Sequence, residues 1–517
     1  MFMNDLKETL NEDFNESITE NNANGYRTTG KELLDMNFMV SSMRKMSDKQ
    51  IIDKFVKAFY ENKMYAIKWL YYVRDAREGV GERRLFRVCM EYLAKNHTDI
   101  AKAMIPLTAE YGRWDDLLSL LDTELADNVI KLFGDQLTED MKNLKSNKPI
   151  SLLGKWMPSC NASSRKTRKL GVEIAEKLGI SERKYRKMLS AIRKYLDVVE
   201  VKMAAGQWDQ IDYSKVSSRA NLIYNNAFLR HDEERRRKYL ESLQKGETKI
   251  NAGVLFPHDI VHKYYNLDYW RINIKNYDTA LEEMWKALPD YVNGAGNTIC
   301  VADGSGSMYT RVGGTNVMAI EVANALAIYF SERCSGQFKD NYITFSMNPK
   351  LVSFSRAKSL KEKIEIALKH TECANTNIEA VFDLILKTAI RKNMKQDELP
   401  QNILILSDME FDSCVEYNRS SRCNLNRPTK RLFKVFEERY AEHGYKLPRL
   451  VFWNICSRTG TIPVKENDLG VALVSGFSPA VVKMVLSNST DPLECLLEQL
   501  NSERYQPVED AIKDLVA

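Results

Sequence analysis

At about residue 290 the hydrophobic pattern of this chain changes its period, and no other feature restricts the fold so strongly. Before that point apolar residues recur every three or four positions, as one face of a helix requires. In "DKQIIDKFVKAFYENKMYAIKWLYYVRDA" they are Ile51, Phe55 and Phe59, then Ala66, Leu70 and Val73. In "RRLFRVCMEYLAKN" they are Leu85, Val88, Cys89 and Leu93. Further amphipathic segments lie near 99–109, 114–121, 124–134 and 168–178, between short breaks such as "REGVGE" and "AEYGRWDD". Paired helices with short breaks predict an all-α module of irregular helical repeats over 33–290. Beyond "ALPDYVNGAGN" the period shortens to compact apolar runs: "TICVA", "NYITFS", "KLVSFS", "NILILS", "RLVFWNI" and "GVALVSG". These alternate with helical patterns at 318–333, 358–369, 377–391, 429–442 and 478–487. Such alternation predicts an α/β domain over 296–490, with a mostly parallel sheet covered on both faces. A helical segment is expected at 491–517, and the acidic, Asn-rich residues 1–32 are expected to be a flexible arm. At 517 residues the chain is long enough for this multidomain division.

Ligands of open α/β sheets gather at the carboxyl ends of the strands. There "VADGSGSMYT" places Asp303, Ser305 and Ser307 at alternate positions directly after the first apolar run. Within a tight loop, such alternation turns three side chains to one side. Two later loops offer oxygens at the same end: Thr376 in "ECANTNIEAVFDLIL" and Asp408 in "NILILSDMEFD". The five candidates are hard oxygen donors without imidazole or thiolate, which suits Mg²⁺ or Mn²⁺ rather than zinc. Two carboxylates leave the local charge near zero, so an incoming anionic group can complete the shell.

The net charge of +5 is modest, but residues 151–200 carry twelve Lys and Arg against five Asp and Glu. "SSRKTRKL" supplies Arg165, Lys166, Arg168 and Lys169, and "SERKYRKMLSAIRKYL" supplies Arg183, Lys184, Arg186 and Lys187. Four cations within five residues cannot all be buried, so both clusters are candidate phosphate contacts. "RHDEERRRKYL" adds Arg235, Arg236, Arg237 and Lys238, and Trp156, Tyr185, Tyr195, Trp208 and Tyr239 are candidate stacking platforms. By contrast, "YVRDAREGVGERR" mixes Arg74, Asp75, Arg77, Glu78, Glu82 and Arg83, a pattern that fixes an inter-helix turn through ion pairs. Nine cysteines without a CxxC are an odd number, which points to reduced thiols and a cytoplasmic protein. No signal peptide or membrane-spanning run is evident. "GYRTTGK" has the spacing of a phosphate-binding loop, but Glu32 stands where Ser or Thr would hold Mg²⁺ and no apolar strand precedes it. No nucleophile and base fall into a recognisable catalytic arrangement, so the chain is read as a binding protein and not an enzyme.

"DGSGSM", a later-loop Thr and "LSDMEF" resemble the metal-ion-dependent adhesion site of von Willebrand factor A domains, which have a Rossmann-like sheet. The resemblance implies that Ser305, Ser307 and Thr376 ligate the ion. It implies that Asp303 and Asp408 act directly or through water, and that an acidic residue of a partner protein supplies the last ligand. "YVRDAREGVGERRLFR", "IPLTAEYGRWDDLL" and "PHDIV" are similar to segments of Ro ribonucleoproteins, whose TROVE module is a HEAT-like ring of helical repeats. "TNIEAVFDLIL" and "LSDMEFD" are closer to a sister family of Ro-like proteins of unknown function. This resemblance implies binding of small non-coding or misfolded RNA by a basic helical ring. The alternative is a metal-dependent protein-interaction scaffold without RNA. A phosphoesterase built on Asp303 and Asp408 is disfavoured, because one ion with no nameable general base is a poor hydrolytic centre.

Overall fold

The computed structural model describes residues 14–20, 24–268, 271–292, 297–346, 348–371, 378–410, 432–463, 470–484 and 491–516. Two compact units form, each from segments far apart in sequence. A sheet unit comprises Met1–Ser47, Phe256–Asp278 and Leu288–Leu500. A helical unit comprises Asp48–Leu255, Thr279–Ala287 and Asn501–Ala517.

Ten strands are described: β1 Glu16–Ile18, β2 Asn24–Tyr26, β3 Tyr265–Asp268, β4 Arg271–Ile274, β5 Thr298–Asp303, β6 Asn341–Phe345, β7 Leu351–Ser353, β8 Asn402–Ser407, β9 Arg449–Asn454 and β10 Val471–Ser475. Six of them form one mixed sheet in the order β10-β9-β8-β5-β6-β7. All neighbours in it are parallel except β7, which runs antiparallel to β6. All six residues of β5 are buried, as an apolar run covered on both faces must be. From β5 the chain winds outward through β6 and β7, then returns to the other side of β5 with β8, β9 and β10. The reversal puts the topological switch point of the sheet at the carboxyl ends of β5 and β8.

Helix Ala319–Arg333 packs on β5, β6 and β8, while helix Pro257–Tyr264 packs against it in turn. Residues Ala319 to Ser331 are all buried, which explains why "AIEVANALAIYF" is apolar on every side. Its buried Glu321 accepts from the Met318 amide at 2.9 Å and lies 2.6 Å from His262 Nδ1. The sheet unit begins earlier in the chain than the expected domain boundary at 296. Strands β1 and β2 form an antiparallel pair within the segment expected as an arm, and Tyr26 bridges to Ile462. Helix Glu32–Phe38, expected to open the helical module, instead packs against β10. Asn454 Nδ2 donates to the Phe38 carbonyl at 2.8 Å, and Ser41 Oγ donates to the Asn454 carbonyl at 3.0 Å. Covering an edge strand with a helix removes an exposed row of unpaired backbone groups.

The helical unit is built from successive packed helices, among them Asp48–Glu61, Lys63–Arg74, Arg84–Asn96, Ala126–Lys145, Arg165–Lys177, Glu182–Tyr195, Ser218–His231 and Glu233–Gln244. The helices on either side of the turn "REGVGE" are tied together by charge. Arg74 meets the buried Asp116 at 2.6 Å, and Arg87 meets the same carboxylate at 2.8 Å. Gly79 in this turn passes so close to the Tyr72 carbonyl that a Cβ would lie 2.0 Å from it. The segment expected at 491–517 divides between the units. Helix Pro492–Leu500 belongs with the sheet, whereas helix Gln506–Val516 packs on Lys63–Arg74 and on Thr98–Met104. Arg504 Nε meets Asp75 at 2.8 Å there, and Tyr505 stacks on Tyr111. Among the described residues no helix is long and apolar enough to cross a membrane.

Candidate metal centre and cationic face

Parallel register brings the first carboxylate to the second. Ala302 of β5 pairs with Leu406 of β8, so Asp303 ends one strand beside Ser407, which ends the other. Ser407 Oγ donates to Asp303 Oδ2 at 2.6 Å, and the Ser305 amide donates to Asp303 Oδ1 at 2.9 Å. The Ser305 and Ser307 hydroxyls are 2.9 Å apart. The Ser307 hydroxyl lies near enough to the Asp408 carboxylate to favour its charged form. Asp303, Ser305, Ser307 and Asp408 therefore gather at one edge of the sheet. Thr376, the fifth expected donor, lies outside the described residues.

The turn that places Asp408 is unusual. Met409 has φ of +65°, a left-handed conformation that a non-glycine residue enters at a cost of about 1–2 kcal/mol. Ser407 Oγ accepts from the Met409 amide at 3.0 Å and helps to hold it there. Asp303 is fully buried and Asp408 nearly so. Burial, with the Asp408 charge beside it, pushes Asp303 up to about 7. Burial also raises Asp408, opposed by the Ser307 hydroxyl, the Glu410 amide and the Arg458 guanidinium. Two carboxylates this close and this dry disfavour their own ionisation, and a divalent cation relieves exactly that repulsion. Among the described residues no group of three or more His, Cys, Asp and Glu gathers to hold a metal. A cation at this edge would rely on serine hydroxyls as well as carboxylates, and such an all-oxygen set fits Mg²⁺ or Mn²⁺.

Two residues of this edge escape a motif-based reading. Glu410 is buried, and its carboxylate accepts the Glu20, Arg458 and Thr459 amides, each at 2.9 Å. Arg458, in the turn after β9, lies 3.5 Å from Asp408 Oδ2 and ion-pairs with Glu20. Only the acidic character of "SDMEF" hints at Glu410, and nothing in the sequence marks Arg458.

In the helical unit Arg165, Lys166, Arg168, Lys169, Arg183, Lys184, Arg186 and Lys187 are all exposed. They lie on the neighbouring helices Arg165–Lys177 and Glu182–Tyr195. The helix caps Ser164 and Ser181 fix where each cluster begins. None of the eight forms an ion pair among the described residues. A cleft of about 590 Å³ opens beside the second cluster, with Lys142, Lys145 and Lys184 among the residues lining it. Lys142 and Lys145 share a helix face at i, i+3 spacing, which sequence reading passed over.

The third basic run is different in kind. Arg236 is fully buried, hydrogen-bonded to Asn221 and Asn225 and lying over the Tyr213 ring. Arg235, Arg237 and Lys238 pair with Asp232, Glu233 and Glu234. The stacking candidates are largely engaged as well. Tyr185 is core and donates to the Pro158 carbonyl at 3.0 Å, Trp208 stacks on His231, and Arg113 covers Trp156. Tyr195 and Tyr239 donate to the carbonyls of Lys148 and Lys249.

A unit of packed helices bearing a cationic face, combined with a parallel α/β unit whose strand ends gather carboxylates and hydroxyls, defines a two-unit protein class. Residues 19–129 and 123–297 match the family described as a domain of unknown function (DUF2828), and residues 297–513 match a second such domain (DUF7788). The chain belongs to the DUF2828 family. It is 31% identical over 534 residues to "Uncharacterized protein L728" of Acanthamoeba polyphaga mimivirus, covering 96% of this chain and 89% of that protein. The Deinococcus radiodurans Ro (RSR) protein aligns over 90% of this chain and 93% of its own, with 12% identity and a TM-score of 0.40.

Proposed function

We propose that this is a Ro-like RNA-binding protein that binds rather than catalyses. Its helical unit takes structured or misfolded small RNA, and its sheet unit is a von Willebrand factor A-like domain with a Mg²⁺ or Mn²⁺ site. The observation that carries the RNA reading is the pair of exposed clusters, Arg165 to Lys169 and Arg183 to Lys187, on adjoining helices without carboxylate partners among the described residues. A protein surface normally intersperses its charges. Eight cations left unneutralised suit a polyanion, which releases its own counterions on binding. Selection between RNAs would come from shape and single-stranded ends, because the stacking candidates Trp156, Tyr185, Tyr195, Trp208 and Tyr239 are engaged within the helical unit.

The A-like reading rests on the strand order and on the gathering of Asp303, Ser305, Ser307 and Asp408 at one sheet edge. Asp303, Ser305, Ser307 and Asp408 would hold the ion, with Thr376 as the expected fifth donor. The bound ion would supply a Lewis-acidic point for an acidic residue of a partner protein. Replacing Arg165, Lys166, Arg168 and Lys169 together by Glu tests the RNA reading. Filter binding with structured small RNA should show affinity reduced at least tenfold, and unchanged affinity removes this surface.

The second reading is a metal-dependent protein scaffold without an RNA ligand, and the strand-end cluster of carboxylates and hydroxyls itself favours it. It predicts purified protein free of absorbance at 260 nm beyond its own, and association with an acidic partner that EDTA abolishes.

A further inference from the structure

We propose that Arg458 and Glu20 are positioning residues of the metal centre: Arg458 competes with the cation for Asp408, and Glu20 holds it off. This rests on the metal reading above.

The geometry is built from three directions. Strand β9 lies beside β8, so the turn that follows it reaches the same edge as Asp408. That turn is braced locally: the Ser457 amide donates to Asn454 Oδ1 at 2.8 Å, and the Gly460 amide donates to Ser457 Oγ at 3.0 Å. Glu410, two residues beyond Asp408, clamps the turn through the Arg458 and Thr459 amides and the Thr459 hydroxyl. The same carboxylate accepts the Glu20 amide at 2.9 Å, which fixes the N-terminal segment at this point. β2 is held alongside by the Tyr26–Ile462 bridge, and at Gly25 a Cβ would lie 2.4 Å from Thr461 Cγ2. The guanidinium of Arg458 therefore stands between two carboxylates. It pairs tightly with Glu20 and approaches Asp408 Oδ2 only to 3.5 Å.

A fixed positive charge beside a cation site lowers its affinity for the cation, and at an effective dielectric near 20 the effect is about tenfold or more. Removing Glu20 frees Arg458 to close on Asp408 and take the position of the ion. Removing Arg458 deletes the competitor. The two halves of one ion pair therefore act in opposite directions on metal affinity, whereas a pair serving only to tie the segment down moves both variants the same way.

The experiment is Mn²⁺ binding to the full chain by titration calorimetry, with thermal melts to confirm folding. Arg458→Gln should bind Mn²⁺ about tenfold more tightly than the parent chain, and Glu20→Gln should bind it several-fold more weakly. Glu20→Asp and Arg458→Lys, which keep the charges, should stay close to the parent value. The double variant E20Q/R458Q should match Arg458→Gln alone, because Glu20 acts through Arg458. If both single variants shift affinity in the same direction, or neither does, while the parent chain binds Mn²⁺ and Asp303→Asn does not, the inference is overturned and the metal reading stands. If no chain binds Mn²⁺, Arg458→Gln included, both are overturned. Should Arg458→Gln fail to fold, the direction of Glu20→Gln decides.

Discussion

Asp303 is a carboxylic acid with no exposure to solvent and a second carboxylate on the far side of two serines. Its folded-state value of about 7 lies above the ordinary value near 4, so the folded chain holds a proton that the unfolded chain releases. The stabilising contribution of this group is complete below pH ~4 and is lost as pH rises through about 7. In EDTA, unfolding stability should fall across that window with a slope approaching ~1.4 kcal/mol per pH unit, one proton's worth. Asp303→Asn should flatten the slope, and saturating Mg²⁺ should abolish it, because the ion-bound folded chain and the unfolded chain are then both deprotonated there. Melts between pH 4 and 8 with and without Mg²⁺ measure all three. Asp116 poses the opposite case, a buried carboxylate whose cations are already present. Arg74 and Arg87 both meet it, and the Arg113 amide donates to it at 2.9 Å. Replacing Asp116 by Asn leaves Arg74 buried without a counter-charge, and loss of such a partner typically costs about 3–5 kcal/mol. Denaturant unfolding followed on the helical unit should show a loss of that size. Charge composition alone misjudges residues of this kind. The run Arg235 to Lys238 reads as a basic surface, yet Arg236 is its inward-facing member, satisfied by two asparagine carbonyls and three aromatic rings.

Helices and strands with local causes were legible, and those placed by distant partners were not. The six runs after residue 290 became β5 to β10; five are buried nearly throughout, as a sheet covered on both faces requires, whereas β7 is a short edge strand of alternating burial. The helix expected at 318–333 is present at Ala319–Arg333, and the one expected at 377–391 at Ile378–Lys392. The segment expected at 114–121 is a 3-10 stretch, Trp114–Leu120, and that at 478–487 is another, Pro479–Met484. Strands β1 and β2 have three residues each and little apolar content, so nothing local announces them. Likewise nothing in 491–517 says that the segment divides at Leu500. The partners of helix Gln506–Val516 lie some four hundred residues away, where Tyr505, Val508 and Ile512 are fully buried. Each such side chain contributes roughly 1.5–3 kcal/mol by leaving water. Arg504 further neutralises Asp75, which is wholly buried, and Glu509 meets the buried Lys68 at 2.6 Å. Deleting residues 501–517 should therefore destabilise the helical unit by at least ~5 kcal/mol. Amide exchange in Lys63–Arg74 should rise with it. If protection of that helix were unchanged, the C-terminal helix would be an appendage and not part of the core.

The two units carry different electrostatics, and a molecule that binds RNA through one and a divalent ion through the other should respond separately to salt and to chelation. RNA affinity that comes from Lys and Arg meeting phosphates falls linearly in log–log form with salt, by about 0.7–0.9 for each phosphate neutralised. The eight exposed cations of the two clusters set the upper range of that slope, and Lys142 and Lys145 beside them can add to it. Reversing Arg165, Lys166, Arg168 and Lys169 to Glu removes four contacts at most, so the slope should become shallower by about 3. Asp303→Asn, in the other unit, should leave both the slope and the affinity unchanged, and EDTA should do the same. Filter binding of structured small RNA from 50 to about 300 mM salt, repeated with EDTA, measures both effects. A slope indifferent to the charge reversal but sensitive to chelation would move the RNA contact to the strand-end cluster, where the phosphate would meet the ion directly. That outcome would leave the cationic helices with a different polyanion, because eight charges on adjoining helices, without ion-pair partners among the described residues, repel one another until some anion lies across them.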